Sequence, residues 1–64
     1  MKTEYDPEAN ALYVKFSDDE IDRTEELRPG LIVDFDSRGH IVGIEMLDAK
    51  TILSESALKS LAAA

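Results

Sequence analysis

The sequence predicts an α+β fold, a small antiparallel meander sheet of four to five strands with one C-terminal helix packed on one face. Three observations carry this expectation. Apolar and polar residues alternate with period two through much of residues 2–47, the spacing of strands that turn one face to a core. Pro and Gly punctuate these segments where tight turns need them. After residue 50 the apolar spacing lengthens to that of a helix.

The hairpin over residues 31–47, LIVDFDSRGHIVGIEML, organises the rest. Leu31, Val33 and Phe35 share one face of the outgoing strand, and Val42, Ile44 and Met46 one face of the return strand. Between them, Asp36, Ser37, Arg38 and Gly39 have the composition of a short turn whose Gly accepts positive φ. Upstream, residues 2–5 form a first strand, and Asp6-Pro7-Glu8-Ala9-Asn10 opens with a turn dipeptide. Residues 11–16 form a second strand, with Leu12, Val14 and Phe16 on one face and Ala11, Tyr13 and Lys15 on the other. Residues 21–27 read as an exposed or edge strand, because only Ile21 and Leu27 are large and apolar. Arg28-Pro29-Gly30 then makes a type II turn into strand 31–35, and strand 40–47 completes the sheet.

Ser54 is an N-cap, Glu55 stands where the helix dipole favours an acid, and Leu53 and Leu58 occupy the two places of a hydrophobic staple. A helix over about residues 54–62 follows, with Ala57, Leu58 and Leu61 as its apolar stripe. So short a helix needs a surface to pack on. One domain, residues 1–64, accounts for the whole sequence, with no repeat or linker before the closing Ala62-Ala63-Ala64.

Composition narrows the functional classes. The 64 residues carry 7 basic and 14 acidic side chains, a formal charge of −7, which repels phosphate backbones and acidic membrane surfaces. Direct nucleic-acid binding and membrane association are not expected, and a basic partner is. No cysteine supplies a disulfide or a thiolate, so a second chain is a natural source of extra buried area in a domain this small. The start of the chain lacks the apolar core of a signal peptide and no run spans a bilayer, so the expected location is the cytoplasm.

Chemistry-bearing patterns are few. Asp34, Asp36 and Glu45, with Gly39 at the sixth place, match the spacing of a calcium loop, but Arg38 stands where an oxygen ligand belongs and the flanks read as strands. A divalent-metal-binding or catalytic domain built on these three acids is therefore the alternative reading, and a hairpin turn the preferred one. His40 is a solvated strand residue with no nucleophile arranged around it, and the glycines are spaced for turns and a strand, not for a phosphate-cradling loop. The expectation is a non-enzymatic module with no cofactor, no metal and no catalytic residue. The sheet face opposite the core retains Tyr5, Tyr13, Ile32, Ile41 and Leu47 among Lys15, Asp34 and Glu45. Such a mixture suits a contact patch for a second copy or another protein. The expected interaction surface is Tyr13, Ile32 and Ile41 together with the acids Asp18, Asp19, Glu20, Asp22, Glu25 and Glu26.

Four stretches carry a family resemblance: Tyr5-Asp6-Pro7-Glu8-Ala9-Asn10-Ala11-Leu12-Tyr13; Arg23-Thr24-Glu25-Glu26; Pro29-Gly30-Leu31-Ile32-Val33-Asp34-Phe35-Asp36; and Gly39-His40-Ile41-Val42-Gly43-Ile44-Glu45. Together they resemble a small prokaryotic domain-of-unknown-function family, number 2283. The resemblance implies no activity, cofactor or catalytic residue. Members are sometimes encoded beside small toxin-like proteins, so it also implies an antitoxin-like or partner-binding role, which fits an acidic sheet covering the basic groove of a partner; a homodimer is the other form such an interaction module takes. Members commonly carry an acid where Arg38 stands, so the calcium-like spacing is weaker in this chain.

Overall fold

The computed structural model describes residues 1–63. Five strands, β1 (Lys2–Asp6), β2 (Ala11–Lys15), β3 (Arg23–Arg28), β4 (Leu31–Phe35) and β5 (Ile41–Leu47), are followed by two short helices, α1 (Ala49–Ile52) and α2 (Glu55–Ala63). All the strand pairings are antiparallel, in the order β1-β2-β5-β4-β3. Two meandering runs, β1–β2 and β3–β4–β5, meet side by side along β2 and β5. The expected five-strand antiparallel sheet is thus present, but β2 and β3 are not neighbours. Residues 16–22 cross one end of the sheet to connect them, tied down where the Phe16 amide donates to the Val42 carbonyl (2.8 Å) and the Asp22 amide to that of Phe35 (2.7 Å).

Register sorts the side chains into two faces, because residues directly opposite one another in an antiparallel ladder project to the same side. One face carries Leu12 and Val14 from β2, Val42, Ile44 and Met46 from β5, and Leu31 and Val33 from β4. Leu12, Val33 and Val42 are buried there, at 5%, 2% and 1% exposure. Side chains this dry in a single sheet need a second layer over them. Ala57, Leu58 and Leu61, the apolar stripe of α2, are half-buried. The hairpin face expected from alternation is therefore the core face.

Two expected positions change. Tyr5 pairs with Leu12, which places it on the core face and not on the open one. Phe16 lies beyond the end of β2 and is 44% exposed, because the chain leaves the sheet at Lys15 to begin its crossing.

The turns follow their residues. Gly30 (φ 83) and Gly39 (φ 84) both take the left-handed conformation, as the type II turn after Pro29 and the β4–β5 turn require. A Cβ on Gly30 would stand 2.8 Å from the Leu47 carbonyl oxygen, so close approach adds to the conformational demand. In the β4–β5 turn, Asp36 accepts hydrogen bonds from the amides of Arg38 and His40, each at 2.9 Å. These amides, His40's first, hold the Asp36 carboxyl below its ordinary pKa of 3.8.

The C-terminal segment divides in two where a single helix over 54–62 is expected. Ser54 caps α2 as its sequence implies, its hydroxyl accepting from the Ala57 amide (3.1 Å). The extra element, α1, has four residues and no local reason to be helical. It is held from a distance. Asn10, at φ 55 in the β1–β2 turn, accepts the amides of Ala49 on its carbonyl (2.9 Å) and of Lys50 on its side chain (3.0 Å), and donates Nδ2 to Asp48 (2.8 Å). Asp48, itself at φ 55, also accepts the Thr51 hydroxyl (2.8 Å), and Ala49 is fully buried beneath. No helix among the described residues is long and apolar enough to cross a membrane.

Candidate functional site: the open sheet face

On the face away from the core the registers align side chains into rows across all five strands. The central row reads Glu4, Tyr13, Glu45, Ile32 and Glu26 from β1 to β3. The row beside it reads Lys2, Lys15, Gly43, Asp34 and Thr24. Toward the other end stand Asp6, Ala11 and Leu47, the last 44% exposed.

A hydrogen-bonded belt stiffens this surface. The hydroxyl end of Tyr13 passes over Gly43, where a Cβ would lie 3.0 Å from the hydroxyl oxygen and 3.0 Å from the Val14 carbonyl. Gly43 is thus glycine because a tyrosine occupies the space above it. Beyond Gly43 the Tyr13 hydroxyl reaches Asp34 Oδ2 at 3.4 Å, and the Thr24 hydroxyl donates to Asp34 Oδ1 at 2.6 Å. The belt therefore links β2 to β3 across β5 and β4. Partial desolvation first, and the Asp34 carboxylate second, push the Tyr13 phenol above its ordinary pKa of 10.0, so it is a neutral donor at physiological pH.

Charges on the face are unevenly neutralised. Lys2 pairs with Glu4 (3.0 Å) and Lys15 with Asp18 (3.2 Å). Glu45 and Glu26 have no ion-pair partner among the described residues. Beside Tyr13 a shallow cleft of about 340 Å³ is lined in part by Glu4, Asp6 and Glu45.

Of the expected interaction residues, the structure brings Tyr13, Ile32 and Glu26 into one row, with Ile41 exposed (51%) at the β4–β5 bulge. Asp18, Asp19, Glu20 and Asp22 are elsewhere, in the segment crossing the sheet end, where Asp19 and Glu20 line a cleft with Asp36, Arg38 and His40. Glu25 pairs with Val33, on the opposite side of the edge strand from Glu26, and binds Arg23 at 3.1 Å. Asp34, Asp36 and Glu45 are likewise dispersed: Asp34 is in the belt, Asp36 binds turn amides, and Glu45 stands in the central row. Among the described residues no three Asp, Glu, His or Cys side chains are grouped to hold a metal ion. His40 stands 4.0 Å from the Asp36 carboxylate, exposed beside the turn. The mid-strand place of Gly43 signals close packing, which the structure shows as the Tyr13 ring above it, and alternation puts Glu45 on this face; what the sequence does not mark is the register that aligns Glu45 with Tyr13 and Ile32.

The model of the family described as "Protein of unknown function (DUF2283)" matches residues 2–50. The chain belongs to this family. The match takes in every strand of the sheet, the Asn10 turn and the start of α1, and leaves α2 outside it. The family's description assigns no function. No curated protein and no solved structure matches the chain.

Proposed function

We propose that this protein is a non-enzymatic interaction domain that binds another protein chain through its open sheet face. One observation carries the reading: that face is organised by a four-strand belt around Glu45 and Glu26, which have no ion-pair partner among the described residues, while the driest strand side chains, Leu12, Val33 and Val42, belong to the opposite face.

The reading has two candidate occupants, a second copy of the chain and a basic protein, the second corresponding to an antitoxin-like pairing. Tyr13 and Ile32, flanking Glu45, supply the apolar anchors. The acids around them steer a cationic partner. A location in the cytoplasm belongs to the same proposal.

The test is affinity capture with the purified chain, alongside light scattering for self-association, using Tyr13→Ala and Ile32→Asp as controls. The expected outcome is an association that both substitutions abolish while the far-ultraviolet circular dichroism remains that of the native sheet. A chain that stays alone in both assays, or an association indifferent to both substitutions, removes the reading.

A further inference from the structure

We infer that the open face selects a cationic protein segment, with basic groups recurring about every 9–10 Å along one side, and rejects a second copy of this chain. The inference rests on the interaction reading above and specifies its partner.

The argument begins from the centre of the face. β5 is the middle strand of five, and Glu45 belongs to the middle of the rows on its open side, so its carboxylate marks the centre of any interface formed there. A twofold dimer uses one patch twice, and a residue on the axis meets its own copy. Face-to-face packing with aligned strands places that axis along or across the strands. Where that axis passes through Glu45, either choice lays the central row on itself. Glu45 then faces Glu45, and Glu4 and Glu26 face acids as well. Two chains of charge −7 each approach against that local repulsion. Lys15 already pairs with Asp18, and Lys2 offsets Glu4 at one edge of the row, which leaves Glu45 and Glu26 without an ion-pair partner among the described residues.

A cationic occupant reverses every one of these terms. Along the central row, acids alternate with apolar side chains: Glu4, Tyr13, Glu45, Ile32, Glu26. Neighbouring strands lie about 4.8 Å apart, so successive acids recur at roughly 9.6 Å. The complementary ligand carries Lys or Arg at that interval, with apolar groups between them for Tyr13 and Ile32. In a polyproline helix, residues three apart lie on one side about 9.3 Å apart, which makes it a ruler for this face. Asp34 is partly satisfied by the Tyr13 and Thr24 hydroxyls, whereas Glu45 has no ion-pair partner among the described residues, so covering Glu45 calls for a cation.

The experiment is a titration of the ¹⁵N-labelled full chain with a soluble peptide of Pro-Pro-Lys repeats. Parallel titrations use the same peptide with Glu for Lys, and one of equal charge with Lys at every fourth position. Saturable shifts at the Tyr13, Ile32, Gly43 and Glu45 amides are expected with the Pro-Pro-Lys peptide alone. Glu45→Gln should weaken that binding about ten-fold, the loss of one well-placed charge contact. Shifts confined to the Asp18–Glu20 segment, equal response to the Glu peptide or to the altered spacing, or an unaffected Glu45→Gln variant each overturn the inference. Sedimentation of the unlabelled chain separates the two readings. A dimer that Ile32→Asp disrupts overturns the choice of partner and leaves the interaction reading standing, whereas a monomer that binds none of the peptides counts against both.

Discussion

The two faces of one five-stranded sheet are built on opposite terms. On the core face, Leu12, Val33 and Val42 are packed nearly dry by neighbours with no polar atoms to satisfy. On the open face, a tyrosine, a glycine, an aspartate and a threonine form a connected polar belt, and an unpaired glutamate stands at the centre. The difference separates two tasks. Apolar burial holds the fold, and the belt holds surface side chains in fixed places without hiding them, which is what recognition asks of a small scaffold.

The largest expected effect lies on the core face. Val42→Asp places a carboxylate where exposure is 1%, and an unpaired buried charge costs more than about 3 kcal/mol, enough to unfold a domain of modest stability. Circular dichroism at 25 °C should show loss of the sheet; a cooperative melt near the wild-type midpoint would contradict the assignment of that face. Next comes Gly43→Ala. The new Cβ displaces Tyr13 from above β5 and crowds the Val14 carbonyl, a loss of about 1–2 kcal/mol in urea unfolding. In a Tyr13→Ala background the same change should cost measurably less, since only the backbone contact remains. Additivity of the two would break the link between them.

The attachment of α1 to the sheet end gives a third measure. Asn10→Ala should destabilise by about 1–2 kcal/mol, because it removes two side-chain bonds and forces a left-handed φ on alanine. Asn10→Gly should cost less, and equal losses would show that conformation contributes nothing there. The smallest effects are in titration. Because the Tyr13 phenol titrates above its unfolded value of about 10, its contribution is complete below pH 10 and disappears as pH rises through the folded value. Tyr13→Phe should abolish that alkaline loss, seen as thermal midpoints of the two chains that converge or cross as pH rises above 10. Asp36 has the opposite sign: with its pKa lowered in the fold, its contribution is present above pH 3.8 and lost as pH falls through the folded value. Asp36→Asn should flatten stability in that acid range.

The sequence was most informative where structure is local. Period-two alternation marks β4 and β5 because their own residues decide which face is dry, and Ser54 marks the start of α2 because its partner is three residues away. The turn glycines are legible for the same reason. What escaped the reading is long-range. The exposed residues of β3 form a strand because β4 pairs with them, so its limits differ from those suggested by Ile21 and Leu27. Helix α1 exists because Asn10, some forty residues earlier, receives its amides. Of the candidate surface, Tyr13 and Ile32 were recognisable from alternation, but their alignment with Glu45 depends on a register between strands that no local pattern encodes. The acids of residues 18–22 were grouped with them on composition, and the route of the crossing segment places them at the sheet's end instead.

The neighbourhood of β2 and β5 has a consequence for how the molecule is assembled. Lys15 lies opposite Gly43, so this ladder closes a loop of 27 residues (16–42), whereas β3, β4 and β5 zip together through short turns. The shorter closures favour pairing of β3, β4 and β5 ahead of the β2–β5 ladder, and Asn10 ties the amino-terminal hairpin to α1 once that ladder is made. Cutting the backbone between Ser17 and Glu20 leaves both pieces with all their strand pairings, so mixing the two fragments should reconstitute the sheet.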